Sequence, residues 1–117
     1  MIYQVYYGTE RPGVVLFDIE IYMKQCGDSL WCVELHGHSF ISGAVDFVLD
    51  VLDKSKREEF KNDCKELEEL RGWIWERHRN RPRTYNDAKD DMKDWKEYID
   101  AKLRGFCDKY GLYLNTD

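Results

Sequence analysis

The spacing of apolar residues changes once along this chain, near residue 40, from a repeat of two to a helical repeat. In the segment from Val14 to Gln25, apolar side chains fall on every second position, namely Val15, Phe17, Ile19, Ile21 and Met23. Such alternation is typical of a strand with one buried face. Because all predicted strands precede all predicted helices, the sequence predicts an α+β fold and not alternating βαβ units.

Residues 1–38 contain three predicted strands separated by two turns. The first turn spans Gly8 to Gly13 and contains a Pro-Gly pair, and the second is Gly27-Asp28-Ser29. Two antiparallel connections of this length give a three-stranded meander whose apolar face needs a cover.

Residues 42–111 supply that cover as two to three helices. Ser42 begins an apolar stripe, Ser55-Lys56-Arg57-Glu58 matches a capping box at the start of a second helix, and Pro82 ends that helix. Thr84 or Asn86 caps the last helix, which stops at Gly111. The predicted inward stripes comprise Ala44, Val45, Val48, Leu49 and Leu52, then Phe60, Cys64, Leu67, Leu70 and Trp73 or Ile74, then Ala88, Met92, Trp95, Ile99, Leu103, Phe106 and Tyr110.

These elements predict one two-layer domain over residues 1–117, in which the two long helices form an antiparallel hairpin. The sheet region is 1–40, the helical region 41–111, and the tail 112–117, where Leu112 to Leu114 docks as a tail or an edge strand. A chain of 117 residues with 43% hydrophobic residues is large enough to bury a core.

The expected compartment is the cytoplasm, because the N-terminus lacks the pattern of a secretory signal and no apolar run approaches the roughly 20 residues that cross a bilayer. The four cysteines are therefore expected to be reduced. A disulfide between Cys26 and Cys32 across the hairpin is the alternative, and Cys64 and Cys107 are expected in the core as small apolar residues.

An arginine-rich window from Arg71 to Arg83 is the most distinctive surface feature. It holds five of the eight arginines and a single acid, so it carries +4 while the rest of the chain carries −9. Arginine forks bind phosphate or carboxylate and stack on aromatic faces. The predicted binding residues are Trp75, Arg77, Arg79, Arg81, Arg83 and Tyr85. The alternative is a solvated turn whose cations offset the negative end of a helix dipole.

A second candidate site combines two histidines with two carboxylates. If the turn is Gly27-Asp28-Ser29, Glu20 lies opposite His36 and Asp18 lies opposite His38, all on one face of the sheet. Two imidazoles and two carboxylates suit Zn²⁺ or Mn²⁺, or acid–base chemistry near neutral pH. Cross-strand contacts on a solvated sheet face are the alternative.

We expect a small acidic protein-binding domain, not an enzyme and without a cofactor, because no GxGxxG, P-loop, GxSxG or HExxH motif is present. The net charge of −5 and acid-rich helices, one with Asp46, Asp50 and Asp53, fit a protein partner with a basic surface. Phage anti-defence proteins and immunity-type inhibitors are analogous in size and charge only. The alternatives are a nucleic-acid backbone-binding module that uses Arg71 to Arg83, and a metal-binding or hydrolytic site at the four residues named above.

Overall fold

Strands form the first third of the chain and helices most of the remainder. A computed structural model describes residues 1–8, 14–37, 40–78 and 82–116, and within these the side chains of residues 42 and 70–78 are not described. The strands are β1 (Ile2–Tyr7), β2 (Val14–Gly27), β3 (Leu30–Gly37) and β4 (Tyr113–Thr116). The helices are α1 (Ser42–Val51), α2 (Lys54–His78) and α3 (Tyr85–Tyr110). The predicted α+β fold is confirmed.

The four strands make one antiparallel sheet in the order β3-β2-β1-β4. The first three strands form the predicted meander, and in its second hairpin Glu20 pairs with His36, as the predicted turn requires. The tail forms an edge strand, because Tyr113 of β4 pairs with Tyr6 of β1. The predicted three-stranded meander and the predicted docking of the tail as an edge strand are therefore confirmed.

A bulge in β2 changes the alternation that the sequence predicts. Val5 pairs with Phe17 but Tyr6 pairs with Val15, so Leu16 is an extra residue without a partner on β1. A bulge of this kind breaks the strict in-and-out pattern, and Leu16 is fully buried next to buried Phe17. The carbonyl of Leu16 accepts a hydrogen bond from the amide of Ile41 at 3.0 Å, directly before α1. The bulge thus fixes where the first helix begins.

Both ends of α3 follow the predicted sequence signals. The side chain of Thr84 accepts a hydrogen bond from the amide of Asp87, and Gly111 ends α3 in the left-handed conformation with φ of 65°. Such a φ has little steric cost for glycine. A new helix begins near the predicted capping box, but α2 starts at Lys54, so Ser55 lies inside it and is not the N-cap that the box predicts. Over the described residues, no helix is long and apolar enough to cross a membrane.

The core lies between the helices and one face of the sheet. The hydroxyl of Tyr3, in β1, donates to the carbonyl of Lys96 in α3 at 3.1 Å, which ties the two layers together. Phe60, early in α2, stacks on Phe106, late in α3, with ring centroids 5.6 Å apart, as an antiparallel hairpin requires. The buried helical residues include Ala44, Val48, Phe60, Cys64, Leu67, Ala88, Ile99, Leu103, Phe106, Cys107 and Tyr110. The predicted stripes are confirmed, except that Leu70, Trp73 and Ile74 have undescribed side chains.

Candidate functional site

The arginine-rich window is only partly described. Trp75 and Arg77 lie in α2 with undescribed side chains, and Arg79 and Arg81 lie outside the described residues. The proposed role of these four residues in binding therefore stays a prediction.

Arg83, the last arginine of the window, is fixed by contacts of both its side chain and its backbone. Its guanidinium forms an ion pair with Asp91, and only 13% of its side chain is exposed. Its backbone amide and carbonyl both bond to Trp31 of β3, at 2.9 and 2.7 Å. The ring of Tyr85 is half-exposed and meets the ring of Trp31 edge-to-face at 5.2 Å. These contacts anchor the start of α3 to the sheet edge, so Arg83 is a structural residue as well as a candidate ligand.

Glu20 and His36, two of the four histidine and carboxylate candidates, lie opposite each other on β2 and β3. Asp18 pairs with Gln4 on β1, which lies on the other side of β2 from His36. His38 lies outside the described residues. No three metal-ligating side chains among the described residues come together in a way that would hold an ion. Metal binding or hydrolysis at these positions stays a prediction.

A different polar cluster lies on the outer face of the sheet. The hydroxyl of Tyr22 donates to Glu34 at 3.0 Å and lies 2.8 Å from Nε2 of His36, which lies 3.1 Å from Glu34. The hydrogen bond with His36, then that with Tyr22 and the charge of Lys24, lowers the pKa of Glu34, although burial opposes the shift. The same register that pairs Glu20 with His36 pairs Tyr22 with Glu34, so the sequence contained the signal for this cluster. Tyr22, Glu34 and His36 thus hydrogen-bond to one another on the outer face of the sheet.

The cysteines correct one expectation. Cys26 and Cys32 form a disulfide across the β2–β3 hairpin, so the prediction of four reduced thiols is wrong for this pair. The two residues lie on opposite strands next to a tight turn, which brings their β-carbons within bridging reach. Cys64 and Cys107 are free and buried, as predicted. Burial raises the pKa of each of these two thiols to about 12.

A groove of about 500 Å³ lies between α2 and α3. We call it the α2–α3 groove, and its lining residues are Asp63, Glu66, Leu67, Glu69, Tyr98, Ala101, Lys102, Gly105, Phe106 and Lys109. At one end Lys109 binds Glu59 at 2.6 Å and Asp63 at 2.9 Å, while the hydroxyl of Tyr110 donates to Asp63 at 2.5 Å. The ammonium of Lys102 lies 5.7 Å from the ring centroid of Tyr98. Two of the five charged residues given for the lining, Asp63 and Lys109, are thus paired across the helical hairpin.

An exposed apolar surface lies at the start of the helical layer. We call Tyr7, Val14, Phe47 and Val51 the α1 patch. Val14 is 44%, Phe47 48% and Val51 56% exposed. Tyr7 pairs with Val14 across the first hairpin and meets the ring of Phe47 edge-to-face at 5.1 Å, so the patch continues from sheet to helix.

Two carboxylates lie beside this patch on α1. Asp46 and Asp50 are exposed neighbours of Phe47 and Val51 on α1, and the segment from Ile41 to Asp53 contains three acids and no lysine, arginine or histidine. Among the described residues, none forms an ion pair with Asp46 or Asp50. Apolar groups and unpaired acids therefore share one surface.

The sequence indicated the acids of this surface but not its apolar part. Ala44 and Val48 belong to the predicted inward stripe of α1. Phe47 and Val51 lie outside that stripe, next to Asp46 and Asp50. Five apolar residues are enough to predict the helix, and its pattern gives no reason for the two additional ones to be exposed. Their exposure is the signal that the fold adds.

Comparison with known proteins returns nothing for this chain. No protein-family model, curated protein or solved structure matches it.

Proposed function

We propose that this chain is a non-enzymatic protein-binding domain that uses the α1 patch to hold, and thereby inhibit, a partner protein with a basic surface. The observation that carries the proposal is that exposed Phe47 and Val51 share α1 with Asp46 and Asp50, which have no ion pair among the described residues. The cytoplasm is the compartment that we propose for this activity.

The apolar part of the patch supports a macromolecular contact. Soluble proteins seldom leave neighbouring large apolar side chains exposed without a use for them, whereas single exposed ones are common. Here exposed Val14 and Phe47 are joined through Tyr7, which contacts both, and exposed Val51 lies one turn after Phe47 on α1. An aromatic residue at the centre of such a surface is the type of side chain that dominates interface energetics. Phe47 is the anchor that we expect.

The acids indicate what the partner presents. Asp46 and Asp50 would stay partly solvated at the rim, where charge sets association rate and specificity more than final affinity. A partner that fits carries an apolar pocket edged by lysine or arginine. A nucleic-acid backbone does not fit this surface, since phosphates would meet carboxylates.

The test is capture followed by reconstitution. The wild-type chain and a Phe47→Asp variant, each immobilised, would be incubated with host lysate, and proteins retained only by the wild type would be identified and purified. Binding of the purified partner would then be measured by calorimetry. Truncation of an interface anchor costs at least about 2 kcal/mol, so Phe47→Ala should weaken binding about thirtyfold or more.

The matched control is Tyr98→Ala. Tyr98 is an aromatic residue of similar exposure, 41%, but it lies in the α2–α3 groove, away from α1. It should bind the partner like the wild type. A partner that is retained equally by Phe47→Asp, or lost with Tyr98→Ala instead, would show that the α1 patch is not the binding surface.

A further inference from the structure

The tip of the β2–β3 hairpin has little packing to hold it. Every residue from Lys24 to Leu30 is exposed, and the register shifts between Gln25 and Gly27. Ser29 adopts φ of 60° in the turn, a left-handed conformation that is unfavourable for a residue other than glycine. With no buried side chains, this end of the hairpin depends on its cross-link, the Cys26–Cys32 disulfide.

A second structural unit is attached beside that cross-link. Trp31 directly precedes Cys32 and lies on β3, which is an edge strand of the sheet. The amide of Trp31 donates to the carbonyl of Arg83 at 2.7 Å, and the amide of Arg83 donates back at 2.9 Å. The ring contact with Tyr85 completes the attachment. Residues 82–85, which end the connection from α2 and begin α3, are therefore docked on the edge of the hairpin.

We propose that the Cys26–Cys32 disulfide is a redox-controlled clamp that keeps residues 82–85 docked on β3, and that its reduction by a cellular dithiol releases them. The dithiol supplies two electrons and two protons, the sulfur–sulfur bond breaks to give two thiols, and the reductant becomes a disulfide. Reduction lets the unpacked hairpin tip fray, and Trp31 then loses the geometry that both hydrogen bonds to Arg83 require.

Two features make this bond a sensor and not a permanent brace. Cys26 is exposed, so a reductant has access to it. Disulfides of cytoplasmic proteins are usually transient and redox-sensing, which suits the compartment predicted from the sequence. The remaining thiols, Cys64 and Cys107, are buried with raised pKa values, so they should not exchange with the pair.

Amide hydrogen exchange on the oxidised and the dithiothreitol-reduced chain tests the clamp directly. The amides of Trp31 and Arg83 form the docking contact themselves. Both should exchange on the order of tenfold to a hundredfold faster after reduction, because the hairpin tip loses the cross-link that restricts its opening. The amide of Ile41, bonded to Leu16, and those of Ile99 and Leu103 in the core should stay protected. A Cys26→Ser/Cys32→Ser variant should exchange like the reduced chain and should not respond to dithiothreitol.

Three results would overturn the clamp. One is unchanged exchange at Trp31 and Arg83 in both the reduced chain and the double variant. Another is loss of protection at Ile99 and Leu103 as well, which would make the bond a support of the whole fold. The third is a purified, unreduced chain whose mass shows four free thiols.

Discussion

The α1 patch and the α2–α3 groove differ in how far the fold satisfies their chemistry. The groove is concave and rich in charge, yet Lys109 is bound to Glu59 and Asp63, and Tyr110 is bound to Asp63. The α1 patch has fewer charged residues, but its acids have no ion pair within the described part of the chain, and Val14, Phe47 and Val51 are exposed. Groups that already bind one another stabilise a hairpin, whereas groups that remain unsatisfied are available for a partner. On the function proposed above, we therefore expect the partner at the α1 patch and not in the groove.

The sharpest test of this difference compares two phenylalanines. Phe60→Ala, at a fully buried position next to the groove, should lower the free energy of unfolding by about 3–5 kcal/mol, because it removes a large core side chain and leaves a cavity. Phe47→Ala should cost no more than about 1–2 kcal/mol, because half of that ring is already in solvent. Urea denaturation followed by circular dichroism measures both. Equal losses would place Phe47 in the core and remove the basis of the proposed interface.

Asp63 tests whether the charges of the groove are structural. Burial acts to raise the pKa of this carboxyl, but hydrogen bonds from Tyr110 and Lys109 outweigh it and hold the pKa below its usual range. A depressed folded-state pKa means that the stabilisation is present above the unfolded-state pKa, near 4, and is lost as the pH falls through the folded-state value. Asp63→Asn should therefore cost about 1–3 kcal/mol at pH 7 and flatten the acid limb of the stability curve.

Glu66→Gln is the control for Asp63, since Glu66 lines the same groove without an ion pair among the described residues. Its effect should stay within about 0.5 kcal/mol at every pH. If both variants behave alike, the Lys109–Asp63–Tyr110 cluster contributes nothing specific to the hairpin.

Charge reversal on the α1 patch should change binding and leave stability unchanged, which is the opposite of the effect expected for Asp63 in the groove. Asp46→Lys/Asp50→Lys should leave stability within about 0.5 kcal/mol of the wild type, since both residues are exposed. It should slow association with the captured partner about tenfold at low salt and weaken the salt dependence. The matched pair Asp90→Lys/Asp94→Lys, also exposed and four residues apart on α3, should bind normally. Surface plasmon resonance at two ionic strengths measures both, and equal slowing would indicate only long-range charge.

The spacing of apolar residues and the turn and cap residues predicted the fold, because both are local properties of the sequence. The alternation of β2, the Gly27-Asp28-Ser29 turn, the Thr84 cap and the Gly111 stop all act within a few residues, and each gave the correct element. The bulge at Leu16 could not be predicted in this way. It depends on the pairing with β1 and on the hydrogen bond to Ile41, which are long-range contacts.

In the candidate sites too, contacts set by local sequence could be predicted and long-range contacts could not. The hairpin register followed from the turn and placed Glu20 opposite His36 correctly. The partners of Arg83, however, are Trp31 and Asp91, and no sequence pattern connects β3 with the start of α3. The N-terminal sequence predicts a reducing compartment and hence free thiols, but Cys26 and Cys32 flank a predicted tight turn, where a bridge can form. Geometry was the better guide.

Gly105 provides the smallest and most selective test. It lies inside α3 and lines the groove, and a β-carbon added there would meet no atom within 4 Å. Gly105→Ala should therefore raise the free energy of unfolding by up to about 1 kcal/mol through helix propensity alone, as measured by thermal or urea denaturation. Gly105→Leu extends further into the groove and should leave capture of the partner unchanged. Loss of binding in the leucine variant, with stability preserved, would mean that the groove and not the α1 patch receives the partner, because only a bound segment would compete with that side chain for the space.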